Sequence, residues 1–414
     1  MPAPQLFHGR RERFIPSERN TGGVLLGTDK NISAIVLAAG FSTRAPGFKP
    51  LLPLGRGTVI EATIGNLCRG GIDDIVVVIG NRAEEMRREL ALLDVRAVYN
   101  RSFEKGMFSS IVAGVNALSP RTEAFFLMPV DLPLVRCHTI RTLRRTFRRR
   151  PAKVIYPVFR GERGHPPLIS AACCPAIRSW SQPEGLRSLL ALFEAESCEV
   201  ETADEGILLD IDTREDYEAI AKRFRRRDIP TSRECGAILS LVKAPATAER
   251  HGNKVAAVAR TLAERLNEAG MKLDIGLVAA AGLLHDLAKG RPRHERTGAR
   301  MLDAMGYCDV AAIVAVHRDI EFDEGRPLNE AAVVHLADKL VKGEEVVTID
   351  ERFQGALEKF TRNGEPIPEV RQRLVNARAI ADAVERVLGM DLEHVLAKHA
   401  KFSVTPVSGS EKAM

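Results

Sequence analysis

Aromatic residues are scarce, 5% of 414 with a single Trp. A surface that stacks successive bases needs aromatic faces, so a base-stacking nucleic-acid platform is not expected. No apolar run reaches the roughly 18 residues that a membrane-spanning helix requires. The first 30 residues lack an apolar core followed by a cleavage site, so neither a membrane partner nor a secretory leader is expected. The seven cysteines form no CxxC pair, their number is odd, and Cys173 and Cys174 are adjacent. Free thiols in a reducing, cytoplasmic setting are the expectation. Internal repeats are also lacking.

What is present is ordinary globular material, 45% hydrophobic and 28% charged, which at roughly 100–200 residues per domain makes about two or three domains. The net charge of +6 divides evenly: residues 1–221 carry 29 Lys+Arg against 26 Asp+Glu, and residues 222–414 carry 31 against 28. Neither half is a basic domain. Two basic runs, 141–150 (RTLRRTFRRR) and 222–227 (KRFRRR), close helical segments, where cations complement the dipole at a helix C-terminus. A positive balance of this size is compatible with nucleic acid, an anionic membrane surface or small anionic substrates, and its even division gives no basic domain for a polyanion.

Two textures follow one another. Residues 31–221 alternate β-rich runs (33–38, 74–80, 95–99, 124–130 and 153–158) with helical segments near 58–69, 81–92, 109–118 and 136–149. Several runs are apolar throughout, as strands covered on both faces require. This alternation predicts an α/β domain with a mostly parallel sheet. From about 231 onward apolar residues recur at helical spacing, as in Val255, Val258, Ala259, Leu262 and Leu266, which predicts an all-α domain. The expected organisation is a flexible extension over 1–30, the α/β domain over 31–221, a linker over 222–234, the helical domain with its long C-terminal helix over 235–390, and a tail over 391–414.

The first strand runs into AAGFSTRAPGFKPLLPL at 38–54. Gly40 permits a tight turn that presents N–H groups to an anion. Ser42 and Thr43 add hydroxyls, Arg44 can fork onto phosphate oxygens, and Lys49 supplies a point charge. Neither a Walker A loop nor GxGxxG is present. Further along lie GMFSS (106–110), LMPVDLPLV (127–135), RGERGHPPLIS (160–170) and LLDIDTREDYEAI (208–220). In this order the five segments closely resemble the motifs of MobA-like NTP transferases of the molybdenum cofactor cytidylyltransferase type.

That resemblance implies a Rossmann-like nucleotidyltransferase fold and Mg²⁺ held by Asp131 and Asp212; Asp210, beside them in the sequence, is either a helper or simply a strand-end residue. It implies a nucleotide bound at Leu37, Ala38, Ala39, Gly40, Ser42, Arg44, Lys49 and Ser109, and an acceptor side at Gly164 and His165. Gly106 and Ser110 belong to the same helix opening as Ser109. Arg44, Lys49, Asp131 and Asp212 are the expected catalytic groups. Ala39, where guanylyl-transferring relatives have a second glycine, favours CTP. Two departures stand out: Ala45-Pro46-Gly47 displaces a glycine by one position, and Phe108 replaces a hydroxyl.

Five of the ten histidines fall within 251–335. His285 and Asp286 sit together in an apolar stretch, LLHDLAKG, where a buried charge needs compensation. Imidazole and carboxylate together suit Fe, Mn, Zn or Ni. His251, His285, Asp286 and Asp338 resemble the signature of the HD superfamily of metal-dependent phosphohydrolases over about 231–345. His294 and His317 match the added ligands of two-metal relatives, with Asp286 bridging. Lys289 matches the lysine of the HDxxK form and would neutralise phosphate charge. His335 is expected to be an ordinary hydrogen-bonded histidine.

The function these resemblances imply is bifunctional: transfer of a nucleotidyl group to molybdopterin-type cofactor, and hydrolysis of a phosphate ester or nucleotide. A sugar or alcohol phosphate is the alternative acceptor. A carrier or insertion chaperone without turnover, delivering to a molybdenum hydroxylase apoenzyme, is the non-enzymatic alternative.

Overall fold

The computed structural model describes residues 31–400 apart from 42–44, 183, 324, 360 and 363–364. The expected extension over 1–30 lies outside the described residues, as do Ser42 and Arg44. Each predicted strand and helix of the first half forms within a few residues of its expected bounds. The strands are β1 (Ile32–Ala38), β2 (Asp74–Ile79), β3 (Arg96–Tyr99), β4 (Ala124–Pro129), β5 (Val154–Phe159), β6 (Glu162–Arg163), β7 (Leu168–Ser170) and β8 (Ser197–Glu201). They make one sheet in the order β8-β5-β7-β4-β1-β2-β3, with β6 paired to β5.

β1 pairs in parallel with both β2 and β4, while β7 runs antiparallel between β4 and β5. Every residue of β1 is buried, because both faces are covered. Ala34 and Val36 pack into a cluster with Ile60 and Leu67 of α1 (Val59–Arg69) and Ile140 and Leu143 of α4 (Cys137–Arg149). Ile35 and Leu37 face Ile111 and Val115 of α3 (Met107–Asn116) on the other side. α2 (Ala83–Leu90) returns the chain from β2 to β3. The order reverses at β1, so a crevice opens between the carboxyl ends of β1 and β4, the place where open α/β sheets bind ligands.

The basic run over 141–150 serves packing. Buried Arg144 donates to Gly70 O at 2.6 Å and Arg141 to Arg69 O at 3.2 Å, while Arg148 and Arg149 close the last turn of α4. The expected linker over 222–234 is shorter than its sequence suggested. Helix α5 (Arg214–Arg225) extends into it, and α6 (Ser232–Leu241) begins at a capping box in which Thr231 accepts from Glu234 N. Cationic residues closing a helix read as a linker only because proline and aspartate follow at once.

The second half is helical: α7 (Ala246–Glu268), α8 (Ile275–Leu284), α9 (His294–Met305), α10 (Cys308–Val316), α11 (Glu330–Lys339), α12 (Pro368–Leu388) and α13 (Leu392–Ala400) are its main elements. Two short ribbons, 341–346 and 361–366, are the strand pairs it contains among the described residues. The tail expected from 391 is corrected. Residues 392–400 form α13, and Leu392, Val395 and Leu396 are buried in the helical core, their i, i+3, i+4 spacing forming one apolar face. Residues 401–414 lie outside the described residues.

Candidate active sites

The crevice between β1 and β4 holds a cavity of about 360 Å³ lined by Leu37–Phe41, Lys49, Phe103, Gly106, Met107, Ser110 and Pro129–Asp131, among others. Its two walls are tied together, since Val130 N donates to Leu37 O at 3.2 Å. Lys49 Nζ bridges two carboxylates, Asp131 Oδ2 at 2.9 Å and Asp212 Oδ1 at 2.8 Å. Burial alone would lower the Lys49 ammonium, but Asp212 and Asp131 outweigh it and hold the group above its ordinary value. Asp210 joins from the same segment: burial raises its carboxyl, and the charges of Asp212 and Asp131 add to the rise. The carboxylates of Asp131 and Asp212, brought together on the Lys49 ammonium, offer oxygen donors of the kind that suit Mg²⁺.

Other expected residues fall into place differently. Gly40 borders the cavity, but its φ is not in the left-handed region and a Cβ there would meet nothing within 4 Å among the described residues. Among the described residues, neither a positive φ nor close packing requires glycine there. Gly106 does need its freedom, with φ 95°, and it opens α3 without a side-chain cap. The N–H groups of that first turn are the kind that bind anions. Ser109 is turned to the backbone: its hydroxyl lies 2.8 Å from both Ser102 O and Gly106 O, and its N–H bonds Gly106 O. Ser110, one residue on, lines the cavity instead.

Gly164 packs so tightly that a Cβ would lie 2.6 Å from Ile207 O. This close approach lets His165 N donate to Ile207 O at 2.9 Å, which sets His165 beside the 207–212 segment. Surrounding protein lowers the His165 pKa, although Asp131 and Asp210 pull the other way. His165 thus favours its neutral form at neutral pH.

In the helical half, two glycines explain how the histidines meet. A Cβ on Gly252 would lie 2.4 Å from Leu283 O, and one on Gly282 would lie 2.9 Å from Ala256 Cα. α7 and α8 therefore cross nearly backbone to backbone, and the rings of His251 and His285 come to 5.2 Å. Gly→Ala inside a helix is ordinarily favourable by about 1 kcal/mol. Gly252→Ala is nevertheless expected to lower both thermal midpoint and bound metal, because it forces the crossing apart. Gly236→Ala in α6, where nothing lies within 4 Å, is expected to leave both intact or raise the midpoint. Calorimetry and elemental analysis of the two variants check this.

Two ligand sets share His285: His251, His285 and Asp338, and His285, Asp286 and His317, each with donor atoms within 4.8 Å of one another and all buried. His294 Nε2 joins through Asp286 Oδ1 at 3.2 Å. Backbone carbonyls orient the rings. Nδ1 of His251, His285 and His317 donates to Gly343 O, Gly282 O and Val314 O at 2.9, 2.8 and 2.7 Å. With Nδ1 so engaged, each Nε2 is the ring atom left to ligate a metal; His251 Nε2 lies 3.1 Å from Asp338 Oδ1. His285 Nε2 is buried with no hydrogen-bond partner, so the donor set fits a transition metal.

Lys289 Nζ meets Asp286 Oδ2 at 2.6 Å from a half-exposed position. Buried Lys339 pairs with Asp338. It was not expected to belong to the site, and its one signal is its place next to Asp338. Burial works against the Asp286 carboxylate, but His294, His285 and Lys289 hold it well below the carboxylate range. Asp338 is likewise held low against its burial, chiefly by Lys339 and His251. His335 does behave as a hydrogen-bonded histidine, its Nδ1 donating to His317 O at 2.8 Å.

Burial pushes three histidines down, His317 to about 3, and His138 and His335 to about 4. Unfolding below their ordinary value of 6.5 therefore takes up protons. Their stabilisation is complete above about pH 6.5 and is lost as pH falls toward 4. His285 is displaced upward by Asp338 and Asp286 against the effect of its burial, so it works in the opposite direction. For the metal-free protein the net uptake on unfolding near pH 5 is expected to approach three protons, because His285 is protonated in both states there and opposes the other three only above about pH 6.5. Midpoints measured from pH 7.5 to 4.5 check this. A midpoint that does not fall contradicts it.

Comparison with known proteins gives the following similarities. The family model of the MobA-like NTP transferase domain matches residues 34–200, and that of the HD domain matches residues 250–343. The molybdenum cofactor cytidylyltransferase of Escherichia coli (strain K12) is 30% identical over 194 residues, 47% of this chain and 97% of the relative. Nicotine blue oxidoreductase of Paenarthrobacter nicotinovorans is 28% identical over 193 residues, 44% of this chain and 93% of the relative. Among solved structures, a nucleotidyl transferase from Methanothermobacter thermautotroptrophicus is 28% identical, covering 47% of this chain and 98% of its own, with a TM-score of 0.42.

Proposed function

The chain is an enzyme of the MobA-like NTP transferase family with an HD domain behind it, and from that premise we propose two activities. The first, over residues 31–221, transfers CMP from CTP to a phosphorylated acceptor of the molybdopterin type. The second, over residues 235–390, hydrolyses a phosphate ester or nucleotide at a bound metal centre. The observation that carries the first is Lys49 set between Asp131 and Asp212 at the mouth of the β1–β4 cavity. Ala39 and the 30% identity to a cytidylyltransferase support CTP.

The acceptor's phosphate oxygen attacks the α-phosphorus, the bond to the β-phosphate's bridging oxygen breaks, and pyrophosphate leaves. Asp131 and Asp212 would hold Mg²⁺, which when bound would neutralise charge at the phosphates. Lys49 neutralises the carboxylate pair and lies within reach of a triphosphate in the cavity. The first turn of α3 offers N–H groups to phosphate oxygens. His165, favoured in its neutral form, hydrogen-bonds an acceptor without adding a fixed charge. In the HD part, His251, His285, Asp286, His294, His317 and Asp338 would hold one or two transition-metal ions, and Lys289 would meet the substrate phosphate. A molybdenum hydroxylase apoenzyme is the macromolecular partner to which such a cofactor would pass.

The test pairs each of the four NTPs and Mg²⁺ with a phosphorylated pterin, a sugar phosphate and an alcohol phosphate, following pyrophosphate. CTP with the pterin is expected to be the fastest pair. Preference for a sugar or alcohol phosphate replaces the acceptor. Tight pterin binding with no pyrophosphate from any NTP favours the carrier reading instead, for which the displaced glycine of Ala45-Pro46-Gly47 is the motivation. Oxidation of a reduced nucleotide would align the chain with its oxidoreductase relative and contradict the proposal.

A further inference from the structure

The transferase carboxylates hang on two segments, 131–136 and 203–212. Arg136 N and Thr139 Oγ1 donate to Asp204 Oδ2 at 2.8 and 2.6 Å, and Ile211 N donates to Asp131 O at 3.1 Å. Gly206 passes so near Leu134 that a Cβ would lie 2.5 Å from its carbonyl oxygen. These bonds join the segments to each other.

What fixes the pair from outside comes from the HD part. Gly306, with φ 90°, ends α9, and Tyr307 follows it, fully buried. The Arg136 guanidinium lies over the Tyr307 ring at 4.0 Å, and Tyr307 OH donates to Ala203 O at 3.1 Å. One side chain thus grips both carboxylate-bearing segments, the first by its face and the second by its hydroxyl. Arg136 is held in turn by Arg227 O at 2.8 Å and by buried Glu234 at 3.6 Å. Arg141 also reaches Ala304 O, in the last turn of α9, at 3.2 Å. At its other end, about 18 Å away for 12 residues, α9 begins with His294 of the histidine centre.

We propose that Tyr307 is a positioning residue for nucleotidyl transfer, through which the HD domain sets the separation of Asp131 and Asp212 and so their affinity for a divalent ion. The inference rests on the reading that these two carboxylates hold that ion. Mg²⁺ and Mn²⁺ demand closely defined oxygen positions, and loop-borne ligands meet that demand only when their supports are rigid. Tyr307→Phe keeps the ring, its burial and the Arg136 contact, and removes only the bond to Ala203.

The test measures Mn²⁺ binding to the full chain by electron paramagnetic resonance, with the transferase class of sites defined as the class lost in Asp131→Asn. Tyr307→Phe is expected to weaken that class roughly three- to tenfold, as loss of one hydrogen bond would, with the metal content of the histidine centre unchanged. In turnover it raises the Mg²⁺ concentration for half-maximal rate by a similar factor, and saturating Mg²⁺ restores kcat. Arg136→Lys, which loses the planar stack, is expected to shift the same quantity. Wild-type Mn²⁺ affinity in both variants, with only a lowered thermal midpoint, assigns Tyr307 to packing alone and overturns the proposal. If the wild type binds Mn²⁺ at this class but turns over no NTP, the function reading fails and the binding shift still decides the role of Tyr307. Absence of a class sensitive to Asp131→Asn overturns both.

Discussion

Asp131→Ala is expected to cut pyrophosphate release by about 10²–10³-fold or more, the cost of removing one preorganised charge stabiliser from a phosphoryl-transfer site. Asp131 stands at the carboxyl end of β4, and with Asp212 it contacts the Lys49 ammonium at 2.9 and 2.8 Å. Its loss leaves Asp212 alone to hold a divalent ion, and leaves the Lys49 ammonium paired with Asp212 as its one remaining carboxylate of the two. Both changes reduce the metal available to the triphosphate. The fold is expected to survive, since the backbone bond from Ile211 N to Asp131 O does not use the side chain. A matched thermal midpoint with the rate lost is therefore the expected pair of results. Asp131→Asn distinguishes charge from shape. It keeps the volume and is expected to lose nearly as much rate.

His285→Ala is expected to empty the histidine centre. His285 belongs to both ligand sets and its ring is 1% exposed, so its loss breaks both sets at once. Elemental analysis should find the HD-bound metal reduced to a small fraction of wild type, and phosphatase activity should vanish with it. The thermal midpoint should fall as well. Asp338 and Asp286 lose an imidazole at 3.5 and 3.6 Å, and a buried carboxylate deprived of a partner is strongly destabilising. Nucleotidyl transfer should persist, because Tyr307 grips the transferase segments at the far end of α9. Unchanged metal content would remove this centre from the account.

Much of this was legible in the sequence because the signals were local. Continuous apolar runs marked β1, β2 and β4, and the catalytic-type residues lay in short motifs at strand ends, where a parallel sheet gathers ligands. The His-Asp pair in an apolar stretch was conspicuous because its burial is costly without compensation. What escaped was set by contacts between distant segments. Nothing near Lys49 says that its ammonium lies between residues 82 and 163 positions away. Ser109 and Ser110 are indistinguishable in a motif, yet the turn of α3 sends one to the backbone and the other to the cavity. Tyr307 carries no signal, because its role depends on how α9 docks against Arg136. The misplaced tail has a simpler cause. Gly389 ends α12, with φ 65°, and the short helix beyond it shows its apolar face only against the helical core.

The central claim is tested most directly by following α-labelled CTP with Mg²⁺ and a phosphorylated pterin acceptor. Label is expected to move into the acceptor in step with pyrophosphate, one for one, and Asp131→Asn is expected to slow both together by a similar large factor. Label remaining in CTP, or appearing only as free CMP with no acceptor product, would contradict it.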